Sequence, residues 1–365
     1  MKKLKTSLKW FALVFLGMTV LVVSFGYWFI SLIPKVSEDS MLEVTKPTDL
    51  PYLTMNVPSK RGKVLAVVTS CNMMGKSKKS TGYELTELSR AYYVFQANGY
   101  EVDIASPKGG TPPVIIDDED MGIYDHAFLN DSTAQRKVKN SIATRDVLPD
   151  AYDAVYFVGG KGAMFDFPQD TYIQSIVKNY YHSNKVIGAV CHGPAALINV
   201  NLNDGSPLLA NKSISSFTNQ EELFLIPDAE SIFPFLLESQ LVSRGAQFNE
   251  GIMYLKKVSV DGKIVTGQNP WSTWEMAERM VEKLGYEPKP REHTPDENTI
   301  DVLYAYEMNG YAEAKTEIMK LTEGGIKMNR TLLAMHGIVS AMQWEIGKAI
   351  NLIRLLAYAK DMTEK

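Results

Sequence analysis

The chain of 365 residues contains only two cysteines and five histidines, and neither residue type has the spacing of a metal site. The histidines are scattered along the chain: His126, His182, His192, His293 and His336. No Cys-x-x-Cys or His-x-x-x-His pair occurs, although such pairs are typical of metal ligands in proteins. The sequence therefore predicts no metal ion.

The sequence also lacks an excess of positive charge. It has 38 Lys and Arg against 42 Asp and Glu, and a basic run beside aromatic residues occurs only at the extreme N-terminus. Nucleic-acid binding is therefore not expected. The first apolar run, from residue 63, is not followed by Gly-x-Gly-x-x-Gly, and Gly109-Gly110 does not form a phosphate loop. No nucleotide or other cofactor is predicted.

A long uncharged segment lies near the N-terminus, from Trp10 to Ile33. It exceeds the roughly 20 residues that a helix needs to cross a bilayer. The alternative, a cleaved signal peptide, has an apolar region of about 7–15 residues and an Ala-x-Ala cleavage site, which this segment lacks. Residues 10–33 are therefore predicted to anchor the chain in the cell membrane. Four lysines within residues 1–9 predict a cytoplasmic N-terminus and an extracytoplasmic main domain.

The middle of the chain has the pattern of one α/β domain. Residues 34–61 are polar and punctuated by proline, as expected of a linker. From Lys63 onward, short apolar runs alternate with amphipathic stretches, which predicts βαβ units. Residues 62–285 are therefore predicted to form a doubly wound, mostly parallel sheet sandwiched by helices, followed by a linker over 286–298.

The C-terminal residues 299–365 have helical periodicity. Gly310 and Gly324-Gly325 divide them, which predicts a small module of three or four short helices in antiparallel hairpins. The alternation of aromatic and small residues is similar to tetratricopeptide arrays, but such arrays usually need three repeats. Two interpretations stay open: a cap packed on the main domain, or a surface for a protein partner or a homodimer.

Three predicted strand ends carry unusual residues: Thr69-Ser70-Cys71, Gly159-Gly160 and Cys191-His192-Gly193. Ligand sites in doubly wound sheets form at the carboxyl ends of the strands. Cys191 follows a buried apolar run, and Pro194 suits the first turn of a helix. A sharp strand-to-helix turn exposes a nucleophile, and a helix N-terminus favours the thiolate. Cys191 is therefore predicted to be a nucleophile with a low pKa.

Six stretches in order along residues 62–285 resemble the ThiJ/PfpI superfamily: SPKGG, VGGKGAMFDF, AVCHGPAAL, FTNQEE, PFLLESQL and TGQNPWS. They are most similar to its branch of heat-shock chaperones and glutathione-independent glyoxalases. The resemblance implies a flavodoxin-like fold of the class I glutamine-amidotransferase type. The predicted transmembrane helix before this domain and the helical module after it are outside the resemblance.

The resemblance also implies a set of catalytic residues. Cys191 corresponds to the family's nucleophile, and His192 to the histidine that follows it. Glu222 corresponds to the carboxylate that orients this histidine, with Glu221 as the neighbour that could be confused with it. Glu87 aligns with the family's active-site glutamate.

The resemblance assigns the oxyanion and substrate-binding positions to glycines. Gly160 is the expected amide donor opposite the sulfur, and Gly159 and Gly193 complete the set. The chain departs from the family in having Lys161 where the family usually has histidine, as well as in three further stretches: Thr86-Glu87, Ala91-Tyr92 and Met164-Phe165-Asp166. These departures affect the shape of the substrate more than the chemistry. Asp166 is expected to fix a loop rather than to react.

Members of the family are described as glyoxalases, protein deglycases, peptidases and holdase chaperones, so several functions stay open. The first is a membrane-anchored, cysteine-dependent enzyme acting on small 2-oxoaldehydes or glycated substrates. It would be a glutathione-independent glyoxalase, a lyase that forms lactate from methylglyoxal, or a related deglycase or hydrolase. Cys191 would attack the aldehyde and Glu87 would move the proton between adjacent carbons. The second is a stress-related holdase or redox-sensing interaction protein, and a cysteine peptidase is a weaker third.

The two cysteines raise a separate redox hypothesis. Cys71 and Cys191 both end strands of the predicted sheet, and an extracytoplasmic setting permits disulfides. A reversible bond between them requires Cα atoms within about 7 Å. The alternative is that Cys71 is only part of the pocket wall.

Overall fold

The computed structural model describes residues 2–34, 42–117 and 120–363. Part of the predicted first linker, residues 35–41, lies outside these described residues. The chain divides into two compact units. One is Asp39–Glu292, and the other combines Met1–Glu38 with His293–Lys365.

The strands belong to the first unit. They are β1 (Gly62–Val67), β2 (Tyr83–Glu84), β3 (Tyr100–Ser106), β4 (Val114–Ile115), β5 (Ile142–Ala143), β6 (Ala154–Phe157), β7 (Val186–Val190), β8 (Ser213–Ile214), β9 (Gln247–Phe248), β10 (Val258–Asp261) and β11 (Ile264–Gly267). Seven of them form one sheet in the order β10-β11-β7-β6-β1-β3-β5. Only the β10–β11 hairpin is antiparallel within it, and β2–β4 and β8–β9 form two small parallel ladders.

The helices occur in both units. They are α1 (Lys2–Leu32), α2 (Pro51–Thr54), α3 (Leu85–Ala97), α4 (Ile123–Leu129), α5 (Ser132–Lys139), α6 (Ala163–Asp166), α7 (Thr171–His182), α8 (Asn219–Leu225), α9 (Ala229–Ile232), α10 (Leu237–Ser243), α11 (Thr273–Lys283), α12 (Pro295–Asn309), α13 (Tyr311–Glu323), α14 (Arg330–Met342) and α15 (Ile346–Thr363).

The central strands form because their apolar residues are covered on both faces, as parallel sheets require. Val64 of β1 lies between Val102 of β3 and Ala154 of β6, and all three side chains are fully buried. One face of the sheet packs on the apolar sides of α3 and α11, and the other packs on α7. The predicted doubly wound, mostly parallel sheet sandwiched by helices is confirmed.

The structure contradicts the predicted helix after Cys191. Only a five-residue 3-10 helix, Gly193–Leu197, follows, and the chain then turns and pairs Asn201 with Pro207. Residues 231–245 have the sequence pattern of one helix, but the structure divides this region between α9 and α10. Pro234 lies between them and has no N–H to continue a helix.

Parts of the predicted linkers are ordered. Leu50 and Tyr52, within residues 34–61, are buried in the first unit. Helix α12 begins at Pro295, inside the predicted linker 286–298. It begins there because Thr294 and Glu297 form a capping box: Glu297 N–H donates to Thr294 Oγ1 at 3.3 Å, and Thr294 N–H donates to the Glu297 carboxylate at 3.0 Å.

The second unit contains four C-terminal helices and α1. Helices α12 and α13 form one hairpin and α14 and α15 another, which agrees with the predicted three or four helices. In α1, the window Phe15–Leu32 is long and apolar enough to cross a membrane, and its side chains are largely exposed. Near the C-terminal end of α1, Lys360 Nζ donates a hydrogen bond to the carbonyl of Ser31 at 2.9 Å.

Candidate active site

Cys191 lies on a strained turn at the carboxyl end of β7. Its φ of +56° is in the left-handed region, which a residue with a side chain rarely adopts. The turn is held on both sides, because Cys191 N–H donates to the carbonyl of Gly267 at 2.9 Å and Phe217 N–H donates to the carbonyl of Cys191 at 3.0 Å. The side chain is only 3% exposed. The structure therefore has the sharp turn that the sequence predicted, in a closed environment.

A hydrogen-bonded chain runs from Cys191 through His192 to Glu222. Cys191 Sγ is 3.2 Å from His192 Nδ1, and His192 Nε2 is 2.6 Å from Glu222 Oε2. The imidazole also packs against the ring of Phe217, with 4.8 Å between ring centroids. Burial acts to raise the pKa of Glu222, but the charge and hydrogen bond of His192 outweigh it and hold the pKa below its usual value. A thiol, an imidazole and a carboxylate are thus in contact, in the order that a nucleophile, its base and an orienting acid require.

Glu222 and its neighbour Glu221 differ in their hydrogen-bond partners. Glu221 points into a different network, in which its carboxylate accepts hydrogen bonds from Thr218, Tyr254, Gln268 and Asn269. The bond from Tyr254 N–H is the shortest, at 2.8 Å. None of these partners is a candidate catalytic residue, and their hydrogen bonds to Glu221 connect the segments around α8. The carboxylate on His192 is Glu222.

Glu87 lies in the first turn of α3 and is completely buried beside the sulfur. A Cβ built on Gly159 would be 2.3 Å from Glu87 Oε2 and 2.9 Å from Cys191 Cβ, so the three residues meet closely. The thiol and the amide of Gly159 are near the carboxyl, but neither makes a hydrogen bond of good geometry with it, nor does any other described group. Burial, aided by the nearby charge of Glu84, raises the pKa of Glu87 well above its usual value.

The predicted low pKa of Cys191 is contradicted. Burial, with Glu87 and Glu84 close by, raises the pKa of the thiol well above its usual value. The short 3-10 helix behind the sulfur offers little compensation, because a helix dipole grows from aligned peptide units. Burial therefore favours the neutral thiol, and a reaction through the sulfur would need a neighbour to accept its proton.

Sequence reasoning missed Glu84. It is the residue before α3, and its pKa is raised to about 7, chiefly by burial. Its position three residues before Glu87 was the available signal, because residues three apart lie on one side of a helical turn. A second acid group therefore lies near Glu87 and Cys191.

The three predicted binding glycines allow a very close approach of backbone segments. Gly160 has φ +99°, and a Cβ there would be 2.4 Å from the carbonyl oxygen of Gly82. A Cβ on Gly193 would be 2.2 Å from the carbonyl oxygen of Phe157. Real Cβ atoms do not approach so closely, so Gly159, Gly160 and Gly193 are all required sterically. Their role as oxyanion donors stays a prediction.

The loop after β1 forms another wall of this region. Thr69 Oγ1 donates to Asp166 at 2.8 Å, and Ser70 N–H donates to the same carboxylate at 2.7 Å. The prediction that Asp166 fixes a loop is confirmed. Both cysteines are free, and Cys71 Sγ donates to the carbonyl of Met73 at 3.2 Å. Within the ranges that the structure describes, no three His, Cys, Asp or Glu side chains are grouped as metal ligands.

Comparison with known proteins identifies the family of the main domain. The model of the DJ-1/PfpI family matches residues 79–283. Glyoxalase 3 of Candida albicans is 32% identical over 238 residues, which cover 60% of this chain and 97% of that protein. A glutathione-independent glyoxalase of Saccharomyces cerevisiae is 30% identical over 231 residues, with 61% and 98% covered.

A solved structure extends the likeness to three dimensions. Rapid Encystment Protein 24 KDa of Francisella tularensis is 39% identical and superposes with a TM-score of 0.58, covering 62% of this chain and 100% of that one. The resemblance seen in the six sequence motifs is thus confirmed over the whole α/β domain. The chain belongs to the DJ-1/PfpI family.

Proposed function

We propose that this chain is a glutathione-independent glyoxalase, which converts a 2-oxoaldehyde such as methylglyoxal into the 2-hydroxy acid with Cys191 as its nucleophile. Two relatives that the chain covers almost completely are named as glyoxalases, one of them as glutathione-independent. The observation that carries the proposal is the buried Glu87 carboxyl, which lies beside Cys191 without a hydrogen bond of good geometry.

Glu87 distinguishes this reaction from simple hydrolysis. A cysteine hydrolase needs a thiol, a base and an orienting acid, and Cys191, His192 and Glu222 already supply these. The rearrangement of a 2-oxoaldehyde also needs a base that takes a proton from one carbon and returns it to the next. An additional carboxyl at the sulfur fits that second task.

The proposed reaction has three steps: addition of the thiol, proton transfer between carbons, and hydrolysis. Cys191 Sγ adds to the aldehyde carbon, its proton passes to His192 Nδ1 and then to the new oxygen, and a hemithioacetal forms. The Glu87 carboxylate removes the hydrogen from that carbon as a proton, giving an enediolate. The hydroxyl proton then moves from the first oxygen to the second, and Glu87 returns its proton to the neighbouring carbon, which gives the thioester. Water then cleaves the carbon–sulfur bond, with His192 as base, and releases the 2-hydroxy acid.

The raised pKa of Glu87 affects both the fraction of this carboxyl that is ionised and the strength of the carboxylate as a base. Only the ionised fraction can take a proton from carbon, and burial makes that fraction small. The same burial makes the ionised carboxylate a stronger base, which favours abstraction from a weakly acidic carbon. The reaction therefore uses a carboxyl that rests in its protonated form.

The test is lactate formation from methylglyoxal by the purified full-length protein, without added thiol. We expect turnover by the parent and by Cys71→Ser, and the uncatalysed rate with Cys191→Ser. Retained activity in Cys191→Ser would refute the role of the thiol. A parent protein that forms no lactate, but suppresses the aggregation of a client protein with or without Cys191, would favour the holdase function instead.

We also propose an arrangement of the whole chain. Residues 10–33 anchor it in the membrane, residues 62–285 form the catalytic domain outside the cytoplasm, and residues 299–365 form a helical module. The length and composition of Phe15–Leu32 support the anchor. Protease added to intact spheroplasts should digest the catalytic domain. Survival of the full-length chain until lysis would overturn this orientation.

A further inference from the structure

A cavity of about 320 Å³ lies at the end of the sheet opposite to Cys191. Cys191 follows the carboxyl end of β7, whereas the residues that line this cavity lie where β7 and β11 begin. The buried side chains of Ile187 and Ile264 form its apolar inner part, and Asn184 and Gly262 are exposed at its opening. Small-molecule sites usually measure roughly 300–1,000 Å³, so the cavity is large enough for a small ligand.

Three lysines line this cavity, and each directly precedes a strand. Lys185 precedes β7, Lys263 precedes β11 and Lys212 precedes β8. Strands β7 and β11 are neighbours in the sheet, and the N–H of Ile187 donates to the carbonyl of Lys263 at 2.9 Å. Among the described residues, the lining carries these three positive charges against the one negative charge of Asp261, a formal excess of two.

Backbone carbonyls hold two of the ammonium groups in place. Lys185 Nζ donates to the carbonyls of Tyr152 at 2.8 Å and of Pro149 at 3.1 Å. Lys263 Nζ donates to the carbonyl of Lys283 at the end of α11. Because a carbonyl oxygen carries only a partial negative charge, these bonds fix the two ammonium groups without neutralising them.

The third ammonium group is paired with a carboxylate whose charge is shared. Lys212 Nζ donates to Asp261 Oδ1 at 3.1 Å and lies 5.7 Å from the centre of the Tyr181 ring. Asp261 Oδ2 also accepts a hydrogen bond from the N–H of Ser213 at 3.0 Å. Burial acts to lower the pKa of Lys212, but the hydrogen bond and charge of Asp261 outweigh it and raise the pKa. Lys212 is therefore a cation at neutral pH.

We propose that this cavity binds a phosphate group, either free or as part of a small phosphorylated ligand. A phosphomonoester carries about two negative charges at neutral pH and three acceptor oxygens, which match the charge excess and the three ammonium groups. Asp150, whose side chain is 94% exposed, lies 3.9 Å from Lys185, and water screens this surface charge. None of the candidate catalytic residues lines the cavity, so the inference is independent of the proposed function.

Titration of the purified full-length protein tests the site. The probes are glycerol phosphate and inorganic phosphate, with potassium chloride at equal ionic strength as the control for screening. Calorimetry and phosphorus NMR should show saturable binding of at least one probe. Stronger binding of glycerol phosphate would identify a phosphorylated metabolite as the source of the group, and equal binding would identify free phosphate. Signals that potassium chloride reproduces would overturn the inference.

A matched pair of substitutions at Gly262 tests the role of charge. Gly262 has φ +59°, which Asn and Asp tolerate better than other side chains, and a Cβ there would meet nothing within 4 Å. Gly262→Asp should raise the Kd of the bound probe about tenfold relative to Gly262→Asn, which has nearly the same shape and no charge.

Substitution of a lysine tests the site from the opposite direction. Lys212→Gln should raise the Kd at least about tenfold, and Lys212→Arg should keep it near the parent value. Lys139→Gln, on the exposed side of α5 and outside the cavity lining, is the control and should bind as the parent does. Parent-like binding by Lys212→Gln, together with equal affinities of Gly262→Asp and Gly262→Asn, would overturn the inference. Lactate formation should be the same in all these variants, so a failure of the proposed function would leave the binding result intact.

Discussion

Helices α3 and α8 both place buried glutamates in their first turns, but the hydrogen-bond partners of these glutamates differ. In α8, Glu221 accepts hydrogen bonds from four residues, and Glu222 is bonded to His192. In α3, Glu87 is equally buried and has no hydrogen bond of good geometry among the described residues. Burial alone therefore does not show what a carboxyl is for.

The number of hydrogen-bond donors around a buried carboxyl distinguishes a structural role from a chemical one. A buried charge or polar group without partners costs free energy, so a protein that uses it only for packing would replace it. Glu221 has its donors and stabilises the fold. Glu87 has no such set of donors and lies against Cys191.

The largest expected effect comes from Glu87→Gln. The amide has nearly the same shape but cannot accept a proton from carbon, so kcat/KM for methylglyoxal should fall by roughly 10²–10⁴. Alkylation of Cys191 by iodoacetamide should persist, because the thiol and His192 remain. Parent-like turnover would mean that Glu87 is structural, and the contrast between α3 and α8 would fail.

Glu222→Gln should have a smaller effect on turnover, roughly tenfold to a hundredfold, because it removes the charge that supports a protonated His192 while leaving the ring in place. Steady-state lactate formation measures it. A loss greater than that of Glu87→Gln would show that hydrolysis of the thioester, rather than proton transfer between carbons, limits the rate.

Glu221→Gln should act on stability instead. The new amide group would face the donors of Gln268 and Asn269, so at least one donor would lose its acceptor, at a cost of about 1–3 kcal/mol. The thermal unfolding midpoint should fall, while kcat/KM for the folded protein stays near the parent value. An unchanged midpoint combined with lost activity would reverse the roles assigned to the two neighbours.

A further effect, gradual rather than abrupt, is a pH dependence of stability. Because the folded-state pKa of Glu87 is raised above 4.5, its contribution is full below pH 4.5 and is lost as the pH rises through the folded-state pKa. Glu87→Gln cannot ionise, so it should gain stability relative to the parent by up to about 1.4 kcal/mol per pH unit in that window. Unfolding of both proteins from about pH 5 to about pH 8 measures the difference. A constant difference would show that Glu87 is ionised in the folded protein.

Local patterns predicted the sheet but not the electrostatics of the site. The strand 186–190 and helix α3 follow from apolar runs and periodicity, since each is a property of neighbouring residues. The raised pKa of Cys191 could not be predicted in this way, because it comes first from burial in the folded domain and then from carboxyls about a hundred positions earlier in the chain. The choice between Glu221 and Glu222 also needed the structure, because both lie in one helical turn and differ in direction.

The short helix after Cys191 shows a second limit of prediction from local sequence patterns. Gly-Pro followed by small residues is typical of a helix start, and the first turn does form. The helix ends at Leu197, and the chain then pairs Asn201 with Pro207, a contact that the helix pattern does not contain. Tertiary context thus overrides a sound local signal.

The closed environment of Cys191 also affects the timing of a catalytic cycle. With Cys191 3% exposed and Glu87 fully buried, a substrate would reach the thiol only when surrounding side chains or loops move aside. The frequency of that opening sets an upper limit on turnover, however fast the bond-making steps are. The same closure delays water, so an intermediate bound to the sulfur would survive for as long as the site stays shut.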